Sequence, residues 1–227
     1  MRNVSQSISL RMAAAVLILV AGAGCSSGAR KGAAVGTVAG AAGGAVIGHA
    51  TGNTARGAII GAVVGGAAGA IIGEQMDKQA DELKQDIPGA TVERVGEGIQ
   101  VTFASGLLFD FDSDIIRGDA RSNLDALAAN LHKYDDRDLL IVGHTDAVGS
   151  SEYNEDLSIR RAEAAARYIR NQGVNESIAT RGRGEYEPVA SNDTESGRSQ
   201  NRRVEVAIYA NEELRQQAIN EAGQASR

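Results

Sequence analysis

LLIVGHTDAVGSSEYNEDLSIRRAEAAARYIRNQG, residues 139–173, decides the fold. LLIVG at 139–143 is a short apolar run of the kind that forms a buried strand. From about Asn154 to Gln172 the period changes to that of a helix, which stops at Gly173. At about 100° per residue, Ala162, Ala165, Ala166, Ile169 and Ser158 share one helix face. Arg160 points almost opposite, to solvent. Arg161 lies at the border of the apolar face, on the flank of Leu157 and Tyr168. Of two adjacent arginines, one is therefore held against the domain.

Outward from this unit the pattern repeats. TVERV (91–95) and IQVTF (99–103), separated by Gly96-Glu97-Gly98, alternate and predict a β-hairpin. LLFDFDS alternates Phe109 and Phe111 with Asp110 and Asp112, which puts the two acids on one face. Asp119 opens a helix carrying Leu124, Leu127 and Leu131 at helical spacing. IATRGRGE and RRVEVAIYA supply two more strands, and the polar tail 211–227 reads as a frayed helix. The order of elements implies an α+β domain over 90–210, one mixed β-sheet backed by helices.

The amino-terminal third is of another character. Arg2 and Arg11 precede the apolar MAAAVLILVAGAG, an apolar stretch of signal-peptide length. It is shorter than the ~20 apolar residues of a membrane span. Cys25 is the one cysteine in the chain, so neither an internal disulfide nor a paired-cysteine metal site can form. Ala23-Gly24-Cys25 resembles the lipobox of bacterial lipoproteins, although Gly22 stands where a Leu is usual. That resemblance implies a signal peptide over 1–24, an acylated Cys25 beginning a short segment to 31, and Ser26 as a signal for the outer membrane. Glycine then recurs every fourth residue from 32 to 52 and again from 57 to 73. Such stripes let helices approach closely, which predicts a glycine-zipper hairpin over 32–73 with its turn at GNTARG. EQMDKQADELKQD and the following Pro88-Gly89 read as a polar helical linker over 74–89.

Charge and residue types narrow the function. From residue 81 onward there are 27 Asp and Glu against 17 Lys and Arg, a net −10. An acidic domain repels phosphate backbones, so no nucleic-acid partner is expected. His49, His132 and His144 show no H-x-x-x-H pairing, and there is no G-x-S-x-G element. No cofactor, no metal and no catalysis are expected, and His144 beside its strand reads as a packed, hydrogen-bonded residue. Asp146 sits just past the strand LLIVG, and Arg161 lies further along, inside the helix. The pair can clasp a ligand bearing both an ammonium and a carboxylate, or simply bond to each other.

Residues 143–165 resemble the signature T-D-x-x-G-x(4)-N-x-x-L-S-x-x-R-A of the OmpA-like peptidoglycan-binding domain. The matches are Thr145, Asp146, Gly149, Asn154, Leu157, Ser158, Arg161 and Ala162. F-D-F-D-S at 109–113 and G-R-S-Q-N-R-R-V-E at 197–205 agree as well. The whole chain is similar to the YiaD-type outer-membrane lipoproteins. The resemblance implies that Asp146 and Arg161 clasp the free end of meso-diaminopimelate in the peptidoglycan stem. Asp112, Thr145, Asn154 and Leu157 would surround the pocket, with Arg202 rather than Arg203 as an additional contact. It also implies an outer-membrane, periplasm-facing tether that attaches by lipid and possibly by the zipper, with homo-oligomers open. The competing expectation is a membrane-structural zipper protein to which the domain is an accessory.

Overall fold

The computed structural model describes residues 52–226. The proposed signal peptide, Cys25 and the first glycine run up to residue 51 lie outside them. Five strands form the sheet: β1 (Thr91–Val95), β2 (Gly98–Ala104), β3 (Arg137–Gly143), β4 (Ile178–Gly182) and β5 (Arg203–Ala210). Their order is β1-β2-β5-β3-β4, with β3 and β4 parallel and every other neighbour antiparallel. The chain leaves β3, passes through α5 (Ser151–Asn171) and returns as β4, the connection that parallel neighbours require. The stretch 139–173 thus forms the strand and crossover helix it predicts.

β5 is central and every one of its residues is buried. Alternation sends Val204, Val206 and Ile208 into the main core and Ala207 and Tyr209 to the opposite face. On the main face lie α5, α4 (Arg121–Lys133), α2 (Gly66–Asp86) and α7 (Glu212–Ala225). The mixed sheet backed by helices is the expected class.

The second glycine run behaves differently from a zipper helix. It begins in α1 (Thr54–Gly61), which lies on the other sheet face with Ala55, Ala58 and Ile59 against Leu140, Val142 and Ala207. Glu187, itself buried, holds its first turn by accepting Thr54 N–H at 3.0 Å and Thr54 Oγ1–H at 2.5 Å. A carboxylate at a helix N-terminus also meets the positive end of the helix dipole. The helix predicted over 57–73 breaks between Gly61 and Gly66, where Gly65 and Gly66 take φ of 77° and 63°, conformations glycine adopts freely. Glu97, from the β1–β2 turn, accepts the freed N–H groups of Val64 and Gly65, each at 2.8 Å. A Cβ on Gly69 would come within 2.0 Å of that same carboxylate. The small residues do permit close approach, but here to the β-hairpin.

The stretch expected as a polar linker continues α2 to Asp86 and buries Met76, Gln79, Ala80 and Leu83 in register with Ile72. Those positions recur at three and four residues, one stripe of a helix surface. Buried Arg137 on β3 donates to Gln79 Oε1 at 3.1 Å, and Gln79 donates to Asn130 Oδ1 on α4 at 2.9 Å. The tail expected to fray is α7, which buries Leu214, Arg215 and Ala218. Among the described residues, no helix is long and apolar enough to cross a membrane.

Candidate functional site

The end of β3 and the start of α5 meet at unusually short range. A Cβ on Gly143 would stand 2.1 Å from the Ser158 carbonyl oxygen. Only a glycine lets α5 lie directly on the strand end, and this contact carries Arg161, one turn after Ser158, over the loop that follows β3. In that loop Asp146 Oδ1 accepts Val148 N–H at 3.0 Å, a local turn that aspartate forms readily. Ser150 caps α5, its side chain accepting from Tyr153 N–H.

A second loop closes the site from the other side. After the short α3 (Ser105–Leu108), Phe109 is buried and bridges to Ile116, whereas Phe111 is 92% exposed. The alternation over LLFDFDS is therefore carried by a turn. Its pivot is Asp112 at φ 57°, the one non-glycine residue with positive φ among the described residues; aspartate is one of the few residue types enriched there. Two long-range contacts hold the turn: Tyr153 Oη–H donates to Asp112, and Arg161 Nε donates to the Ser113 carbonyl at 2.9 Å. Arg161 also stacks over the Phe109 ring, 5.4 Å from its centroid.

Between the loops is a cavity of about 450 Å³. Asp112, Thr145, Asp146, Asn154, Leu157, Arg161 and Arg202 all line it. Arg161 is 4% exposed and Asp146 8%. Burial pushes the Arg161 guanidinium below its ordinary pKa, partly offset by Tyr153 and Asp112; it stays charged at every relevant pH. Beyond the bond to Ser113, its two terminal nitrogens have no hydrogen-bond or ion-pair partner among the described residues. Asp146 and Arg161 do not pair with each other. Asp146 Oδ2 instead meets Arg202 Nη1 at 2.5 Å.

The remaining residues divide by what they touch. Asn154 spends its amide on Glu185 (2.6 Å) and the Val148 carbonyl (3.3 Å), bracing the loop that carries Asp146. Thr145 Oγ1 is buried without a hydrogen-bond partner among the described residues. Arg202 and Arg203 diverge, as neighbours at a strand start must: Arg202 turns into the cavity and Arg203 to the opposite face, onto Glu205 at 2.7 Å. Glu195 and Arg198, from α6 (Glu195–Asn201), complete the wall. Tyr153 and Glu195 carried no signal in the sequence, because their place depends on how the two loops and α6 pack; Arg198 lies in the G-R-S-Q-N-R-R-V-E segment, which does not say that it faces the cavity.

His144 faces away from the cavity. It is fully buried with both ring nitrogens lacking hydrogen bonds, 3.7 Å from Glu205. It is packed as expected but, among the described residues, not hydrogen-bonded. Burial lowers its pKa, outweighing Glu205. Burial alone would raise Glu205, but His144 and Arg203 hold it at about 2. Both shifts act in one direction. The unfolded chain takes up protons first on the histidine and then on the glutamate, so stability is full above pH ~6.5. It should decline as pH falls through ~6.5, and further between ~4.5 and 2. Melting temperatures across pH 8 to 3 check this, and a His144→Gln variant should lose the first decline and soften the second, because Glu205 then keeps only Arg203 of the two groups that hold it down.

The profile of the OmpA family matches residues 108–202, and that of the YMGG-like Gly-zipper family matches residues 5–77. The outer-membrane lipoprotein YfiB of Pseudomonas aeruginosa is 39% identical over 115 residues, covering 50% of this chain and 68% of YfiB. The chain belongs to the OmpA family. The lipoprotein YiaD of Escherichia coli is 34% identical over 136 residues, covering 59% of this chain and 62% of YiaD. Among solved structures, the cell wall anchor of the type VI secretion system from P. aeruginosa superposes with a TM-score of 0.51 at 30% identity. It covers 60% of this chain and 96% of the anchor. The chain spans 57% to 62% of the length of the first curated relatives it matches. These relatives are named as envelope proteins and not as enzymes.

Proposed function

We propose that this protein is an outer-membrane lipoprotein, acylated at Cys25, that holds peptidoglycan non-covalently through the free end of meso-diaminopimelate. The observation that carries this is the convergence of seven residues from separate segments on one cavity, with the Arg161 terminal nitrogens uncommitted. A guanidinium presents paired donors at the spacing of carboxylate oxygens. Buried, it loses the competition from water that weakens surface pairs. Asp146 and Asp112 supply the negative pole for the ammonium, and Leu157 the apolar wall for the methylenes between the two ends. The relatives' names, lipoprotein and cell wall anchor, support a tether between outer membrane and wall.

Co-sedimentation with purified sacculi tests this. The wild type should pellet with the wall, and Asp146→Ala, checked for folding by its melting temperature, should stay largely in the supernatant. Equal pelleting of the two would remove this cavity as the wall site.

A further inference from the structure

The two poles of the cavity are not in the same state. Arg161 has no carboxylate within ion-pair distance, so its seat for an anion is open. The seat for a cation is taken. Asp146 gives one oxygen to Val148 N–H and the other to Arg202 Nη1 at 2.5 Å. Arg202 is itself forked: its second terminal nitrogen, Nη2, lies 2.7 Å from Glu195 Oε1. Glu195 stands at the first turn of α6 with its side chain 66% exposed, and Arg198 holds its other oxygen at 2.8 Å. Burial opposes the Arg202 charge, but Asp146 and Glu195 together outweigh it and raise its pKa.

We propose that Arg202 is the resident counter-cation of Asp146, displaced by the ligand's ammonium onto Glu195, and that this exchange sets selectivity for ligands with a free amine. The inference rests on the wall-binding function proposed above. An incoming ammonium and the guanidinium repel each other at one carboxylate. The arginine needs no new partner on leaving, because one arm of its fork already rests on Glu195. A neutral or acylated amine offers Asp146 no charge with which to replace the guanidinium, so the resident arginine stays and the ligand is refused. Arg202 is thus a gatekeeper of the cation seat.

The test is calorimetric titration of the intact protein in detergent with a diaminopimelate-containing tripeptide, and with the same peptide acetylated on the free diaminopimelate amine. Arg202→Gln should bind the free-amine peptide tighter, by about 3- to 10-fold given the usual size of partly exposed charge pairs. Its affinity for the acetylated peptide should rise by more, because no resident cation then refuses it, so the variant discriminates less between the two peptides than wild type does. Glu195→Gln should weaken the free-amine peptide about 3-fold, because Arg202 then has Asp146 alone. In case Arg202→Gln loosens α6, Arg202→Lys serves as the second variant. It keeps a charge but cannot bridge both carboxylates, and its affinity should fall between the other two. The Arg202 guanidinium NMR signal should move on saturation with the free-amine peptide only. Weaker binding by both Arg202 variants, or equal changes for both peptides, would overturn the exchange. Wild-type protein that binds neither peptide would overturn the wall-binding function together with it.

Discussion

Arg161→Ala is expected to weaken binding of the wall peptide by about 100-fold, the scale of truncating one partner of a buried, hydrogen-bonded charge pair. The size follows from where the guanidinium sits. It is almost wholly buried, stacked on Phe109 and held at Nε by the Ser113 carbonyl. Its orientation is therefore set before any ligand arrives, and little side-chain entropy is lost on binding. Arg161→Lys keeps the charge but neither the Ser113 contact nor the paired donors, and should recover only part of the loss. A peptide whose diaminopimelate carboxylate is amidated separates this role from a structural one. Wild type should lose most of its affinity for the amidated peptide, whereas Arg161→Ala should barely distinguish it from the acid. If the variant discriminates as well as wild type, Arg161 acts on the fold of the loops and not on the carboxylate. The measurement is a double-mutant cycle by calorimetry, with melting temperatures as the control for folding.

How much of this site could be read beforehand varies with the range of the forces involved. Helical spacing sufficed to turn Arg160 outward and Arg161 inward, because a helix face is local geometry. Arg160 indeed pairs with Asp156 on its own helix, while Arg161 is buried. Strand alternation alone does not choose between Arg202 and Arg203, since a shift of one residue exchanges the faces; the resemblance favours Arg202, and the structure places it at the cavity. The FDFDS turn is not legible in the sequence for a different reason. Its conformation is imposed by Tyr153 and Arg161, both some 40 or more residues away in the chain, and local alternation holds no trace of them. The Asp146–Arg202 pair belongs to the same class: it joins the loop after β3 to the residue between α6 and β5, 56 positions apart in the chain, which motif spacing does not encode.

The largest stability effect is expected at a position the sequence pattern assigned to a linker. Leu83→Ala should destabilise the protein by about 3 kcal/mol, the usual cost of such a cavity in a closed core. For a chain of this size that corresponds to a drop of roughly 10 °C in melting temperature. A solvated connector would tolerate the same change within about 0.5 kcal/mol. Leu83 is fully buried, as are Ile72, Met76 and Ala80 on the same stripe. Charged residues elsewhere on α2, among them Lys78, Lys84 and Asp81, pair with neighbours at the surface. The stripe is easily overlooked because glutamines and acids interrupt it, and Gln79 is buried only by virtue of its bonds to Arg137 and Asn130. The consequence reaches function. A helix committed to the core from Gly66 onward is not available to a membrane hairpin. Thermal unfolding of Leu83→Ala beside Ile60→Ala, whose side chain is exposed on α1, decides the point. Equal melting temperatures for the two would return α2 to the role of a tether.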